Sequence, residues 1–245
     1  MVFETLPLFR DDPYRRDCEA QILAINDRGG IVLDRTVFYA LSGGQPGDTG
    51  RLVVAESAVP IGATVYGEGK SEIVHVPLEP DGMPGAGAKV RAEIDWGRRH
   101  RHMRMHTALH LLCSLIPFPV TGGSIGAEES RLDFDIAEAG AIDKDDLSER
   151  LNALVAADHP IATSWISDQE LADNPGLVRT MSVKPPIGSG RVRLVAVGAD
   201  GSVDLQPCGG THVRSTAEIG RLMVTKIEKK GRQNRRVRLA FAEGQ

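Results

Sequence analysis

The chain has 245 residues, of which 25% are charged and 41% are hydrophobic, and its formal net charge is −4. This composition excludes an intrinsically disordered chain and a protein that coats nucleic acid without selectivity. No apolar run in the sequence approaches the length of about 18 residues that a membrane-spanning helix needs, and the N-terminus lacks the pattern of a secretion signal. We therefore expect a cytoplasmic protein that does not associate with membranes.

The first part of the chain alternates short β-branched runs with glycine and proline. This pattern predicts short strands separated by turns, and therefore a small β-barrel or sandwich. The predicted strands cover residues 21–25, 30–40, 51–57, 71–78 and 88–95, and residues 80–88 are predicted to form a loop.

The hydrophobic pattern changes to a helical period after Asp95, which can cap a helix that Pro117 and Pro119 would end. Downstream, strands are predicted at 131–135, 161–167 and 191–197, helices at 144–157 and 168–173, and a hairpin with its turn near Gly231. We predict two domains, a β-barrel domain at 1–94 and an α+β domain at 95–245.

Two histidines lie four residues apart on the first predicted helix, in the stretch "RMHTALHLLC". Residues at this spacing share a helix face, so His106 and His110 can bind one cation. Spacing alone is a weak signal, and two other residues extend the same face. His102 lies in an arginine-rich start of the helix and Cys113 lies among leucines, so both fit a metal site less well.

A second pair of potential ligands follows about a hundred residues later in "QPCGGTHV", where Cys208 and His212 flank two glycines that let the backbone curl. The chain has only three cysteines, an odd number that does not make a disulfide framework. Three imidazoles and one thiolate form the tetrahedral set that zinc prefers, so we predict one zinc ion per chain. Thr107 stands where the common zinc proteases have a glutamate base, and four protein ligands leave the metal's role, structural or catalytic, open.

The motifs "HTALH" and "CGGTH", with the upstream stretch "FYALSGGQPGDTG" at 38–50, resemble the editing domain of alanyl-tRNA synthetases and the longer free-standing alanyl-tRNA editing proteins of the AlaX family. This resemblance implies a translation-factor-like β-barrel followed by an α+β editing domain similar to that of threonyl-tRNA synthetase. It implies hydrolysis of mischarged tRNA(Ala), chiefly Ser-tRNA(Ala) with Gly-tRNA(Ala) as a further candidate, and no use of ATP. By motif, the zinc ligands are His106, His110, Cys208 and His212.

The resemblance also places Thr121 in the amino-acid pocket, where its hydroxyl would recognise serine. Thr107 and Gln45 are further candidates near the reacting ester. Basic residues are expected to contact tRNA phosphates: Arg98, Arg99, Arg101, Lys229, Lys230, Arg232, Arg235 and Arg236.

Two other functions compete with editing. A non-catalytic, zinc-stabilised tRNA-binding module would bind tRNA without cleaving an ester, and a metallohydrolase of small esters or amides would act without tRNA. The chain shows no coiled-coil heptads, so a monomer is expected.

Overall fold

The structure is a computed structural model that describes residues 3–54, 57–79, 84–136, 142–180 and 190–242. By its internal contacts the chain divides into two compact units, Met1–His100 and Arg101–Gln245. The domain ranges 1–94 and 95–245 stay a prediction. No helix among the described residues is long and apolar enough to cross a membrane.

The first unit contains a closed six-stranded barrel, as the strand pattern predicts. The strands of the first unit are β1 (Leu6–Pro7), β2 (Asp17–Ile25), β3 (Ile31–Leu33), β4 (Arg35–Thr36), β5 (Gly50–Val54), β6 (Ser57–Tyr66), β7 (Ile73–Pro77) and β8 (Lys89–Ile94). The barrel order is β2-β3-β7-β6-β5-β8, and β1 pairs with β4 outside it. Alternate residues of β2, such as Cys18 and Ile22, point into the core, which is why that strand shows a period of two.

Two barrel features differ from the prediction. Strand β6 is absent from the predicted set because Pro60 and Gly62 interrupt its β-branched pattern, although Pro60 pairs in register with Arg51. The segment 30–40 is not one strand: β3 and β4 are followed by an irregular stretch whose residues 37–40 are buried. Of the predicted loop 80–88, residues 80–83 lie outside the described part and residues 84–88 form no strand or helix.

The remaining helices and strands follow the predicted order. They are α1 (Trp96–Leu115), β9 (Val120–Ser124), β10 (Glu129–Asp135), α2 (Lys144–Ala156), β11 (Ile161–Ile166), α3 (Asp168–Asp173), β12 (Val192–Val197), β13 (Asp204–Pro207), β14 (Leu222–Lys229) and β15 (Asn234–Phe241). A four-stranded sheet has the order β14-β15-β10-β9, and a three-stranded sheet has the order β11-β12-β13. Strand β13 was not predicted, and β9, which carries Thr121, is not among the strands that the hydrophobic pattern predicts.

Helix α1 begins as predicted, with the Asp95 carboxylate accepting a hydrogen bond from the Arg98 backbone N–H at 3.0 Å. From Met103 to Cys113 nearly every side chain is buried, so this stretch of α1 is enclosed on all sides. Helix α2 packs against β14, with Leu147, Leu151 and Val155 on its buried face.

A buried ion pair fixes the glycine-rich segment of the first unit. Arg99 is 0% exposed, and its Nε donates to the two carboxylate oxygens of Asp48 at 3.0 and 2.9 Å. The rest of the guanidinium donates to the carbonyls of Pro13 and Val37, and the Asp48 carboxylate accepts from the Tyr39 N–H at 2.7 Å. These partners and this burial remove Arg99 from the predicted phosphate contacts.

Candidate metal centre

Four side chains converge inside the second unit, and they are the four that the sequence predicts. His106 and His110 come from successive turns of α1, and Cys208 and His212 come from the loop that follows β13. One potential ligand atom from each residue lies within 4.8 Å of all the others. The two distances from Cys208 Sγ to the Nε2 atoms of His106 and His212 are 3.4 and 3.3 Å.

These distances fit a tetrahedral zinc ion. With zinc bonds of about 2.0–2.3 Å to nitrogen and sulfur, neighbouring ligand atoms in a tetrahedron lie roughly 3.3–3.6 Å apart. The three-histidine, one-cysteine set also suits zinc better than the hard cations calcium and magnesium, which prefer oxygen. The cluster could therefore hold a metal ion, and its ligand set and the two Cys208 distances are consistent with zinc.

Asp204 orients one of the histidines. His110 Nδ1 donates to Asp204 Oδ2 at 2.9 Å, which turns Nε2 towards the cluster. Gln206 Nε2 donates to the same Asp204 oxygen at 2.8 Å. A carboxylate bonded to the outer nitrogen of a ligating imidazole fixes its tautomer and makes it a stronger ligand. Neither residue was predicted, although both precede the ligand loop on one face of β13.

Thr107 orients a second histidine. Since Nε2 of His212 faces Cys208, its Nδ1–H donates to Thr107 Oγ1 at 3.1 Å, and the Thr107 hydroxyl donates to the Met103 carbonyl at 3.0 Å. The Thr107 side chain is buried and its hydroxyl is engaged on both sides. This geometry fits a residue that positions His212, and a catalytic role for Thr107 stays a prediction.

Arg193 of β12 donates hydrogen bonds to the ligand loop, residues 208–212. Its Nη1 donates to the carbonyls of Cys208 and Gly210, each at 2.9 Å, and the Gly210 N–H points at Cys208 Sγ at 3.4 Å. Neither Gly209 nor Gly210 has a positive φ, so the loop turns without the backbone freedom that the sequence analysis invoked.

Burial and mutual charge shift the pKa values of the cluster. Burial raises the pKa of Cys208, but His106 and His212 outweigh it and lower that pKa well below the usual value, so the sulfur is a thiolate. Burial lowers the pKa of His212 well below its usual value. Burial also opposes charge on His110, but the hydrogen bonds that His110 donates to Asp204 and to the Cys208 sulfur raise its pKa to about 10, so a bound cation would displace its proton.

The two rival ligands lie outside the cluster. His102 is buried despite the arginines around it in the sequence, and it is not among the four grouped residues. Burial raises the pKa of Cys113 to about 12, which keeps it a neutral thiol.

Thr121 occupies an irregular position in the sheet. Asp133 of β10 pairs with Gly122 and Phe134 pairs with Val120, so Thr121 is the extra residue of a β-bulge. Its hydroxyl donates to the Asp133 carbonyl at 3.2 Å, and the side chain is half-buried. Bulges redirect side chains and are frequent beside active sites.

Gln45, in contrast, is fully buried in the first unit.

The predicted phosphate contacts of the β14–β15 hairpin divide into two groups. Arg236 pairs with Asp133, and Lys230 pairs with Glu228. Glu228 also pairs with Lys226 and Arg238. The hydrogen bonds that Arg238 and Lys226 donate lower the pKa of Glu228 to about 2. No carboxylate among the described residues pairs with the remaining three, which are Lys229, Arg232 and Arg235. Of the cations on α1, Arg101 pairs with Glu128 and Arg98 donates to the Gly47 carbonyl.

Two family models match the chain. One, described as the second additional domain of threonyl and alanyl tRNA synthetases, matches residues 192–238, and the other, described as class II (A) tRNA synthetases, matches residues 13–98. Two separate parts of the chain are therefore similar to parts of aminoacyl-tRNA synthetases. The first match includes β13, the ligand loop and the hairpin.

The similar whole proteins identify the family. Alanyl-tRNA editing protein AlaX-M of Methanosarcina acetivorans is 35% identical over 237 residues, which cover 92% of this chain and 94% of that protein. The alanine–tRNA ligase of Pyrobaculum arsenaticum is 37% identical over 235 residues, which cover 92% of this chain but 25% of the ligase. The chain belongs to the family of alanyl-tRNA editing proteins, which confirms the resemblance seen in its motifs.

Proposed function

We propose that this protein is a trans-editing deacylase that hydrolyses the ester of mischarged tRNA(Ala), chiefly Ser-tRNA(Ala), with Gly-tRNA(Ala) as a further substrate. The observation that carries the proposal is the buried cluster of His106, His110, Cys208 and His212, in a chain of the editing family. A zinc ion held there supplies a fixed positive charge that attracts the polar groups of the aminoacyl end.

The side chains of this unit have separate tasks in the proposed site. Asp204 and Thr107 hold His110 and His212 in place, so the cluster is rigid before substrate arrives. Thr121 offers a hydroxyl to the side chain of the bound amino acid. Its oxygen, while the hydroxyl donates to the Asp133 carbonyl, can accept a hydrogen bond from the serine hydroxyl, and alanine has no such donor, which makes serine the preferred amino acid.

The test compares serine and alanine on the same tRNA(Ala). We expect rapid release of serine and slow release of alanine, measured as kcat/KM for the two esters. In Thr121→Val the preference for serine should fall about tenfold, because one hydrogen bond is lost, and Thr121→Ser should retain it. Unchanged selectivity in Thr121→Val would remove Thr121 from serine recognition. Tight tRNA binding with neither ester cleaved would favour the non-catalytic tRNA-binding module.

The three hairpin cations without a carboxylate partner are the residues that we propose to bind tRNA phosphates. Lys229 and Arg235 lie opposite each other in the β14–β15 register, and like charges at this spacing repel unless an anion lies between them. Arg232 is exposed in the turn between the two strands. Phosphate binding by this group needs no existing ion pair to break.

Lys229→Ala and Lys226→Ala form a matched pair of variants on the same strand. Both lysines are exposed, but only Lys226 lies near a carboxylate, at 3.2 Å from Glu228. We expect Lys229→Ala to weaken tRNA binding and to reduce the slope of log K against log salt by about 1, and Lys226→Ala to change the slope less. Equal slopes for the two variants would contradict a separate role for the unpaired cations.

The remaining features of the proposal follow from this activity. The protein is proposed to act in the cytoplasm as a monomer, without ATP, with the barrel at 1–94 and the editing domain at 95–245. The partly buried arginines Arg98 and Arg101 are proposed as further contacts of the tRNA end, whereas the burial of Gln45 leaves it no access to the tRNA.

A further inference from the structure

Strand β11 is unusually exposed for a strand of a packed sheet. It forms an edge of the three-stranded sheet, and the four residues 162–165 in its middle and end are all exposed. The last of them is Trp165, one of two tryptophans in the chain, which is 42% exposed. A single exposed ring is not by itself a binding surface, so the groups beside Trp165 decide what it can bind.

The Trp165 ring carries an arginine beside it. The Arg191 guanidinium lies 5.3 Å from the ring centroid, within the range of a cation–π contact. An exposed aromatic ring next to a guanidinium is the arrangement on which proteins stack unpaired nucleobases. Both groups offer flat faces, and the positive charge favours a nucleic acid over a neutral peptide.

The other tryptophan shows the contrast. Trp96 of the first unit has the Arg16 guanidinium at 4.6 Å and the His100 ring stacked at 5.2 Å, with Tyr14 at 5.4 Å. These groups already cover Trp96. Trp165, with the Arg191 guanidinium beside its ring, is still 42% exposed.

Trp165 is linked to the metal centre through one residue. It lies directly opposite Arg193 in the β11–β12 register, with Cβ atoms about 5 Å apart in such a pair. Arg193 holds the carbonyls of Cys208 and Gly210 in the ligand loop. At the exposed Gly209 of that loop, an added Cβ would meet no protein atom within 4 Å. Trp165 and the ligand loop therefore lie on either side of the same residue, Arg193.

We propose that Trp165 and Arg191 form a stacking platform for the nucleobase at the 3′ end of the acylated RNA strand. This inference rests on the proposed function, because the ester can reach the cluster only if the nucleoside that carries it lies beside the ligand loop. Stacking on the base face is independent of the amino acid, so the platform serves binding of the tRNA end rather than selection of serine.

The first test measures KM and kcat for Ser-tRNA(Ala) in Trp165→Leu and Trp165→Phe. Leucine keeps an apolar side chain but removes the aromatic face, so KM should rise about 5- to 100-fold with kcat and bound zinc unchanged. Phenylalanine should keep KM within about threefold of the native value. An unchanged KM in Trp165→Leu, or equal effects of leucine and phenylalanine, would overturn the proposal.

The second test does not depend on ester hydrolysis. In Trp96→Phe the only tryptophan is Trp165, and its fluorescence should be quenched by a short single-stranded RNA that ends in CCA, with weaker quenching when Arg191 is replaced by alanine. Quenching by this RNA in a protein that hydrolyses no ester would retain the platform and reject the proposed function. The absence of quenching would overturn the platform and would favour a protein partner for β11.

Discussion

Replacement of His106 by alanine is expected to abolish zinc binding and to reduce hydrolysis of Ser-tRNA(Ala) to background. The variant leaves three ligands around a buried thiolate, and second-shell changes alone typically cost 10- to 100-fold in metal affinity or activity. Zinc per chain, measured by elemental analysis, and serine release from tRNA(Ala) are the two readouts. Both should fall together if the cluster is the editing centre.

Two variants on the same helix are matched controls for His106→Ala. His102→Gln replaces the histidine one turn earlier, and Cys113→Ala replaces the buried thiol at the other end of α1. Both residues lie outside the cluster, so each variant should keep one zinc per chain. If His102→Gln lost zinc and His106→Ala retained it, the metal ligand would be His102 and not His106. Zinc loss in His106→Ala with full hydrolysis would make the metal structural.

The four cluster residues could be predicted from the sequence because their signals are local. A helical period places His106 above His110, and a short loop brings Cys208 near His212. The residues that orient them could not be predicted in the same way, because Asp204 meets His110 across 94 residues of chain. The alternation of Asp204 and Gln206 just before the ligand loop was the available signal.

Charge was harder to interpret than hydrophobic pattern. The other barrel strands could be predicted because alternating apolar residues are the ones that point into the core. Strand β6 was not predicted because a proline and a glycine interrupt that alternation. An arginine in the sequence does not report burial, so Arg99 was predicted at the surface. Likewise, Asp133 and Glu129 neutralise the hairpin arginines from a strand about a hundred residues away.

The buried pair of Asp48 and Arg99 leads to the second large effect. Asp48→Ala should destabilise the protein by about 3–5 kcal/mol, because it leaves the Arg99 guanidinium as a buried charge without its counter-ion. The change also removes the acceptor of the Tyr39 N–H. The free energy of unfolding of the full chain, from urea denaturation, measures this loss. Asp27→Ala, at an exposed carboxylate, should change it by less than about 0.5 kcal/mol.

The double variant Asp48→Ala/Arg99→Met separates charge from packing. Methionine removes the buried charge and keeps much of the side-chain volume, so part of the stability lost in Asp48→Ala should return. A double variant no more stable than Asp48→Ala would mean that the arginine's bonds to the Pro13 and Val37 carbonyls matter more than its charge. Recovery would instead make Asp48 the counter-ion that allows a charged side chain to hold the glycine-rich segment from inside the first unit.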